Sequence, residues 1–394
     1  MENFTFYTPT KIYFGKDQIK KLPQSIAPYG KRVLLVYGGG SIKRNGIYDQ
    51  ATTLLTEQGF EITELSGVEP NPRLETVEKG VKLCRDHQIE GIIAIGGGST
   101  IDCSKAISAG VFYEGSPWDF TKDSSLITKT LPLFTVLTMA ATGSEMNWGA
   151  VITNVETNEK LGIHSVLMIP KVSILDPTYT YTVPTKHTAA GSVDILSHLL
   201  ENYFSQNKGA YVQDRISEGI MRTVINYAPQ ALKQPDNYEA RANLMWSSTL
   251  ALNGLTGRGK VGTWSCHPME HELSAFYDIT HGIGLAILTP RWMKYILNED
   301  TVEQMANLAH YVWDIPVNSD NLFETAEKGI QAFYDCFVSW GIPMTLEEVG
   351  IPEDNLQLMA EKAVEHSTLA TTAYVPLAVK DVRAIYENCL TQGI

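Results

Sequence analysis

The chain has 394 residues, 44% of them apolar, and a formal net charge of −13. That length can bury large cores and is expected to form two domains, while the acidic balance argues against nucleic acid and anionic membrane surfaces as partners. The amino-terminal MENFTFYTPTKIYFG lacks a basic segment followed by an apolar one, and no run of about 18 apolar residues exists, so neither a signal peptide nor a membrane span is expected. Cys84, Cys103, Cys266, Cys336 and Cys389 include no C-x-x-C pair, which points to reduced thiols in a cytoplasmic protein.

Along the first half, strand and helix patterns alternate. RVLLVY at 32–37 reads as a strand, 48–58 and 74–87 as helices, GIIAI at 91–95 as a strand and 100–108 as a helix. LFTVL at 133–137 and VSIL at 172–175 are two more short apolar runs of strand type. Strands spaced by helices predict an α/β domain with a doubly wound, mostly parallel nucleotide-binding sheet. DPTYTYTVP at 176–184 resists regular structure at both of its prolines and marks a boundary. Beyond it, apolar residues at three-to-four spacing predict helices over 185–204, 211–228, 238–255, 301–313 and 322–340. The expectation is an α/β dinucleotide-binding domain at 1–184 and an all-helical, metal-binding domain at 185–394.

Two predicted strands run straight into glycines: Gly38, Gly39, Gly40 and Ser41 in the first loop, Gly96, Gly97, Gly98 and Ser99 in the second. Glycine lets a backbone approach a pyrophosphate, and a helix amino terminus offers free N–H groups and a positive dipole end. A tight turn would also use glycine, but two such loops in one parallel sheet favour a nucleotide. Neither loop is G-x-G-x-x-G, and no acidic residue on a following strand is evident at the expected distance. The first loop is uncharged and followed by Lys43 and Arg44. A carboxylate there would bind a ribose 2′-OH and repel a 2′-phosphate, so its absence favours NADP(H), with NAD(H) as the alternative. LTMAATGSE at 137–145 makes a poor nucleophile set and a good hydrogen-bonding ledge, or else a capping turn.

Asp194 and His198 are four residues apart on a predicted helix, hence on one face, and His267 and His281 follow downstream. An i, i+4 ion pair would explain the first two alone. Leu196, Leu199 and Leu200 flank them, however, and a buried carboxylate costs several kcal/mol unless paired or coordinated. Pro268 and Gly282, next to the later histidines, signal a helix end. Asp plus three His suits one divalent metal, Fe²⁺ or Zn²⁺, with a position left open. Glu201, one turn beyond His198, can orient a ligand or be solvated. His271, four after His267, is the candidate proton carrier near neutral pH, or a structural histidine.

Four marks together resemble the iron-containing (group III) alcohol dehydrogenases: GGGS-x-x-D at Gly96–Asp102, TGSE at Thr142–Glu145, D-x-x-x-H at Asp194–His198 and H-x-x-x-H-x₉-H at His267–His281. YGGGSIKRNG at 37–46 and TGSEMN at 142–147 look most like the butanol dehydrogenase and NADPH-dependent aldehyde reductase branch. The resemblance implies a dehydroquinate synthase-like fold, metal ligands Asp194, His198, His267 and His281, and a proton relay from His271 through the nicotinamide ribose. It implies cofactor contacts at Gly97, Gly98, Ser99, Thr138, Thr142 and Lys160, and the motif positions Asp102, Ser144 and Asn147 are carried with them. A homodimer exchanging amino-terminal strands through Phe4–Gly15 is also implied, as is a small aldehyde or alcohol as substrate. Trp148 departs from the family's usual small residue; with Trp264, Leu273 and Phe276 it is expected to wall an apolar pocket. A polyol dehydrogenase, a lyase of the same fold and a metallohydrolase are the rival readings; the last leaves both glycine loops unexplained.

Overall fold

Strand β1 (Lys11–Phe14) opens a six-stranded parallel sheet whose order is β1-β8-β5-β4-β2-β3, where β2 is Arg32–Tyr37, β3 Glu61–Leu65, β4 Gly91–Gly96, β5 Leu133–Leu137 and β8 Val172–Leu175. The computed structural model describes residues 1–394 except 208, 262 and 263. Alternation along the strands sends residues to opposite faces. Leu34, Val36, Ile92 and Ala94 pack with residues of α4 (Leu74–Asp86) and α5 (Gly98–Gly110). Val33, Leu35, Ile93 and Ile95 pack with those of α1 (Leu22–Ile26) and α3 (Ile47–Glu57), which follows the short α2 (Ser41–Arg44). Both faces are therefore covered, as a parallel sheet requires.

β6 (Gly149–Asn154) and β7 (Glu159–His164) form a separate antiparallel pair. The Phe4–Gly15 stretch, expected to exchange with a partner, places Lys11–Phe14 in β1, paired with β8 of its own chain. Phe4, Phe6 and Tyr7 are exposed.

After β2 the chain crosses to β3 on one side, and after β4 it crosses to β5 on the other. The neighbours β2 and β4 thus flank the point where strand order reverses, the usual ligand crevice of such sheets. Both glycine loops leave their carboxyl ends.

Helices α6 (Thr185–Tyr203) and α7 (Tyr211–Lys233) begin the helical unit, and α8 (Tyr238–Ala251) interrupts it. It resumes with α9 (Cys266–Tyr277), α10 (His281–Tyr295), α11 (Val302–Trp313), α12 (Leu322–Ser339), α13 (Leu356–Glu365) and α14 (Val379–Asn388). α6 packs on α7 and α10, and α9 on α10 and α13. One unit comprises 7–183 with 235–253, the other 1–6, 184–234 and 254–394. The expected cut after 184 differs in two respects: α8 belongs to the α/β unit, and the first six residues belong to the helical one. Among the described residues no helix is long and apolar enough to cross a membrane. The five cysteines are free thiols, and Cys266 is buried.

Candidate metal centre and nucleotide loops

Three helices bring the metal candidates together. Asp194 and His198 share a face of α6, His267 is the second residue of α9, and His281 is the first of α10. Asp194 Oδ1 lies 3.5 Å from His198 Nε2, 3.8 Å from His267 Nε2 and 3.7 Å from His281 Nε2. Ligand atoms held about 2.1 Å from one tetrahedral ion stand about 3.4 Å apart; one atom each of Asp194, His267 and His281 lie within 4.8 Å of one another, so these three can share a cation, and His198 meets that group at Asp194. Asp194, His198 and His267 are no more than 3% exposed. Neither Asp194 Oδ1 nor His267 Nε2 has a hydrogen-bond partner among the described residues. Polar atoms left so in a protein interior cost about 1–3 kcal/mol each or more if charged, and an ion bound by both removes that cost. The residues fit the metal that the donor set implies.

Burial works against ionisation of Asp194, yet the three imidazoles outweigh it and hold its carboxyl far below the ordinary range. Burial pushes His198 down to about 3, against the pull of Asp194 and with the help of the neighbouring rings. For His267 burial is outweighed by the Asp194 and Glu201 carboxylates, and its pKa is raised to about 9. Without a metal, His267 therefore carries the compensating positive charge.

Glu201, 3% exposed, follows His198 on α6. Its carboxylate accepts from the main-chain N–H of Ser265 (2.7 Å) and of His267 (2.9 Å) and meets His267 Nδ1 at 3.1 Å. Ser265 makes no cap bond of its own, so Glu201 caps α9 from a neighbouring helix. Glu270, overlooked in the sequence, contacts His281 Nδ1 and is fully buried. Its spacing of three from His267, on the same helix, was the available signal.

His271 is only partly buried, with its ring centroid 5.8 Å from that of His281 and 6.4 Å from that of His267. Trp264 lies against His267 and His198, with centroids 4.3 Å and 5.5 Å away. Of the other expected wall residues, Leu273 is fully buried and Phe276 partly so. Trp148 is partly buried in the α/β unit.

In the α/β unit the glycines divide into two kinds. A Cβ on Gly98 would come within 2.3 Å of Thr142 Cγ2, and one on Gly96 within 2.4 Å of Thr100 Oγ1. These two are small because their own chain presses on them. A Cβ on Gly39 would meet nothing within 4 Å, and one on Gly97 only Met139, from 3.4 Å. Those backbones stay bare toward open space, as close approach of a phosphate demands. Gly97 stands at the amino terminus of α5 with no side-chain cap, and Gly40 turns the first loop at φ +91°. Ser41 is exposed, Gly38 is partly buried, and Ser99 Oγ donates to the Pro70 carbonyl.

Thr138 donates its N–H to Gly96 (3.0 Å), and Thr142 abuts Gly98, which ties the ledge to the second loop. Asp102, Ser144, Asn147 and Lys160 sit deeper. Asp102 accepts from Ser144 Oγ and from the Val151 N–H, and burial raises its pKa against Lys105 and those donors. Asn147 Oδ1 accepts from buried Lys105 at 2.8 Å, and Lys160 is 4% exposed. An acidic residue does follow the first loop, on strand β3, which the sequence reading missed. Glu64 accepts from the hydroxyls of Tyr37 and Tyr48, each at 2.6 Å, with Lys43 at 3.9 Å.

Residues 9–177 match the family described as iron-containing alcohol dehydrogenase, and 188–390 its carboxyl-terminal family, Fe-containing alcohol dehydrogenase. NADH-dependent butanol dehydrogenase A of Clostridium acetobutylicum is 56% identical over 388 residues, covering 98% of this chain and 100% of the relative. NADPH-dependent aldehyde reductase YqhD of Escherichia coli is 39% identical over 393 residues, covering 98% and 99%. The crystal structure of NADH-dependent butanol dehydrogenase A from Thermotoga maritima matches with a TM-score of 0.94 at 42% identity, over 99% of each chain. The chain belongs to the iron-containing alcohol dehydrogenase family, oxidoreductases acting between alcohols and aldehydes.

Proposed function

We propose that the chain is an NADP(H)-dependent aldehyde reductase of the butanol dehydrogenase type, with one Fe²⁺ or Zn²⁺ held by Asp194, His198, His267 and His281. The observation that carries the reading is the pair of buried atoms Asp194 Oδ1 and His267 Nε2, neither with a hydrogen-bond partner among the described residues and 3.8 Å apart. A divalent metal there supplies Lewis-acid polarisation of a carbonyl, and a reduced nicotinamide supplies the hydride. The chain's own residues do the rest. Glu201 fixes the His267 ring so that Nε2 faces inward. Partly exposed His271, one turn from His267, delivers the proton that completes the alcohol. Trp264 sets an apolar ring against His267 and His198 beside the ligands, suiting an unbranched aldehyde.

Gly38, Gly39, Gly40 and Ser41 cradle the adenosine end, and Gly97, Gly98 and Ser99 the pyrophosphate. Preference for the 2′-phosphate is supported by a first loop without a carboxylate, by Arg44 beside Gly40, and by the engagement of Glu64 with two tyrosines and Lys43. Several relatives are named NADH-dependent, so both cofactors belong in the test. Oxidation of NADPH with butanal, followed by absorbance, should proceed faster than that of NADH and stop on chelation. Equal rates with and without chelator would overturn the metal assignment. A cytoplasmic homodimer goes with this reading, supported by the exposed Phe4, Phe6 and Tyr7 and checked by light scattering.

A further inference from the structure

Glu270 sits where a carboxylate is hard to keep. It lies in α9 with 0% exposure, and one of its oxygens accepts from Ser274 Oγ while the other meets His281 Nδ1. Room for it is made by the facing helix: a Cβ on Gly284 of α10 would stand 2.7 Å from Glu270 Cγ and 3.1 Å from Oε1. Ser274 is one turn further along α9, and its hydroxyl also reaches the Ile279 carbonyl at 3.3 Å in the turn leading to α10. A missing side chain on one helix and a hydroxyl on the other thus hold this carboxylate against one nitrogen of His281. Bare hydrophobic packing at position 270 would need neither.

From this placement we infer that Glu270 is a positioning residue for the metal: its carboxylate accepts the hydrogen bond of His281 Nδ1–H, so that Nε2 is the nitrogen presented beside Asp194. This rests on the reading of Asp194, His198, His267 and His281 as ligands. The arrangement repeats that of Glu201. α6 supplies Asp194, His198 and the carboxylate that orients His267 of α9; α9 supplies His267 and the carboxylate that orients His281 of α10. Each helix contributes to the centre and aims the ligand of the next. An anion behind an imidazole also makes the ring a stronger donor, and losing such a partner costs about 10–100-fold in metal affinity.

The experiment is a zinc competition titration against a chromophoric chelator, using metal-stripped full-length wild type, Glu270→Gln and Glu270→Ala. Thermal unfolding of each stripped protein reports folding, and Co²⁺ d–d absorption reports ligand geometry. Glu270→Gln keeps the shape and an acceptor but removes the charge; it should bind zinc about tenfold more weakly. Glu270→Ala should lose about 100-fold and shift the Co²⁺ bands. Wild-type affinity and unchanged Co²⁺ bands in both variants would overturn the inference while leaving the ligand set intact. A wild type that takes up no zinc would instead sink the metal reading itself. Should either variant fail to fold, Ser274→Ala decides: it withdraws one donor from Glu270 without touching His281, and unchanged zinc affinity there counts against the proposal.

Discussion

Glu201 Oε1 on α6 lies 2.9 Å from the main-chain nitrogen of His267 and 3.1 Å from its Nδ1, so one oxygen serves both the start of α9 and the ring of its second residue. On the proposed ligand set, this carboxylate should couple folding to metal binding. Glu201→Ala removes the cap of α9 and strands two buried N–H groups, at about 1–3 kcal/mol for each left without a partner. It should lower the melting temperature of the metal-free protein as well as weaken zinc binding. Circular dichroism with and without zinc separates the two effects. A variant that melts like wild type would show that Ser265 or water replaces the cap.

The raised pKa of His267 should set the pH dependence of metal uptake. Burial opposes the ring's charge, but Asp194 and Glu201 outweigh it and bring the pKa to about 9 in the metal-free fold. The unfolded chain releases that proton near the free histidine value of about 6.5. Between these values the folded form binds more protons than the unfolded, so this contribution is full below about 6.5 and is lost as pH rises through about 9. A metal must displace the same proton. Zinc affinity should climb by up to tenfold per pH unit toward pH 9 and then level, while the melting temperature of the stripped protein falls over that window. A pH-independent affinity from 6.5 to 9 would contradict the charge assigned to His267.

The same centre shows what the amino-acid string could and could not reveal. β2, β4, β5 and β8 are legible because both faces are buried, leaving largely apolar runs, with Thr135 and Ser173 satisfying each other across β5 and β8. β3, EITEL, is not: it is an edge strand whose glutamates face water or tyrosines, and its polarity hides it. β6 and β7 mix polar and apolar residues around a turn held by Asn158 at φ +50°. In α9, Pro268 reads as a helix end; it instead sits in the first turn, where a missing N–H costs nothing. Which core an amphipathic helix covers is a tertiary fact: the helical pattern over 238–255 follows the boundary in sequence, whereas α8 belongs to the α/β unit. The four candidate ligands stood out by residue type and spacing. Glu270 did not, since a glutamate is ordinarily solvated and only its enclosure by Ser274, His281 and Gly284 distinguishes it.

Binding and proton transfer should separate by mutation. Asp194→Ala takes away a carboxylate that meets all three imidazoles, and its product should retain no stoichiometric metal and lose at least 100-fold in turnover. His271→Ala should keep the metal, since Asp194, His267 and His281 form a candidate ligand group without it, but slow aldehyde reduction by about 10²–10⁴ and flatten the pH–rate profile near neutrality. Metal content by mass spectrometry and kcat against pH test both. Loss of metal in His271→Ala would move that residue from proton carrier to ligand.

Cofactor choice should turn on Gly39. Its position is exposed, a Cβ there meets nothing within 4 Å, and its backbone is outside the strained left-handed region, so a side chain can be added without structural cost. Gly39→Asp places a carboxylate in the first loop, where it can accept from a ribose 2′-OH and repel a 2′-phosphate. Two like charges about 4–5 Å apart at an effective dielectric near 20 repel by about 3–4 kcal/mol, which solvent and the neighbouring Lys43 and Arg44 would reduce. The ratio of kcat/KM for NADPH over NADH should accordingly fall by about 10–100-fold, with the NADH value equal or raised and the melting temperature unchanged. If both cofactors lose activity together, the first loop holds some part of the nucleotide other than the adenosine ribose. If neither changes, the nucleotide does not reach Gly39, and the preference must be set elsewhere in the α/β unit.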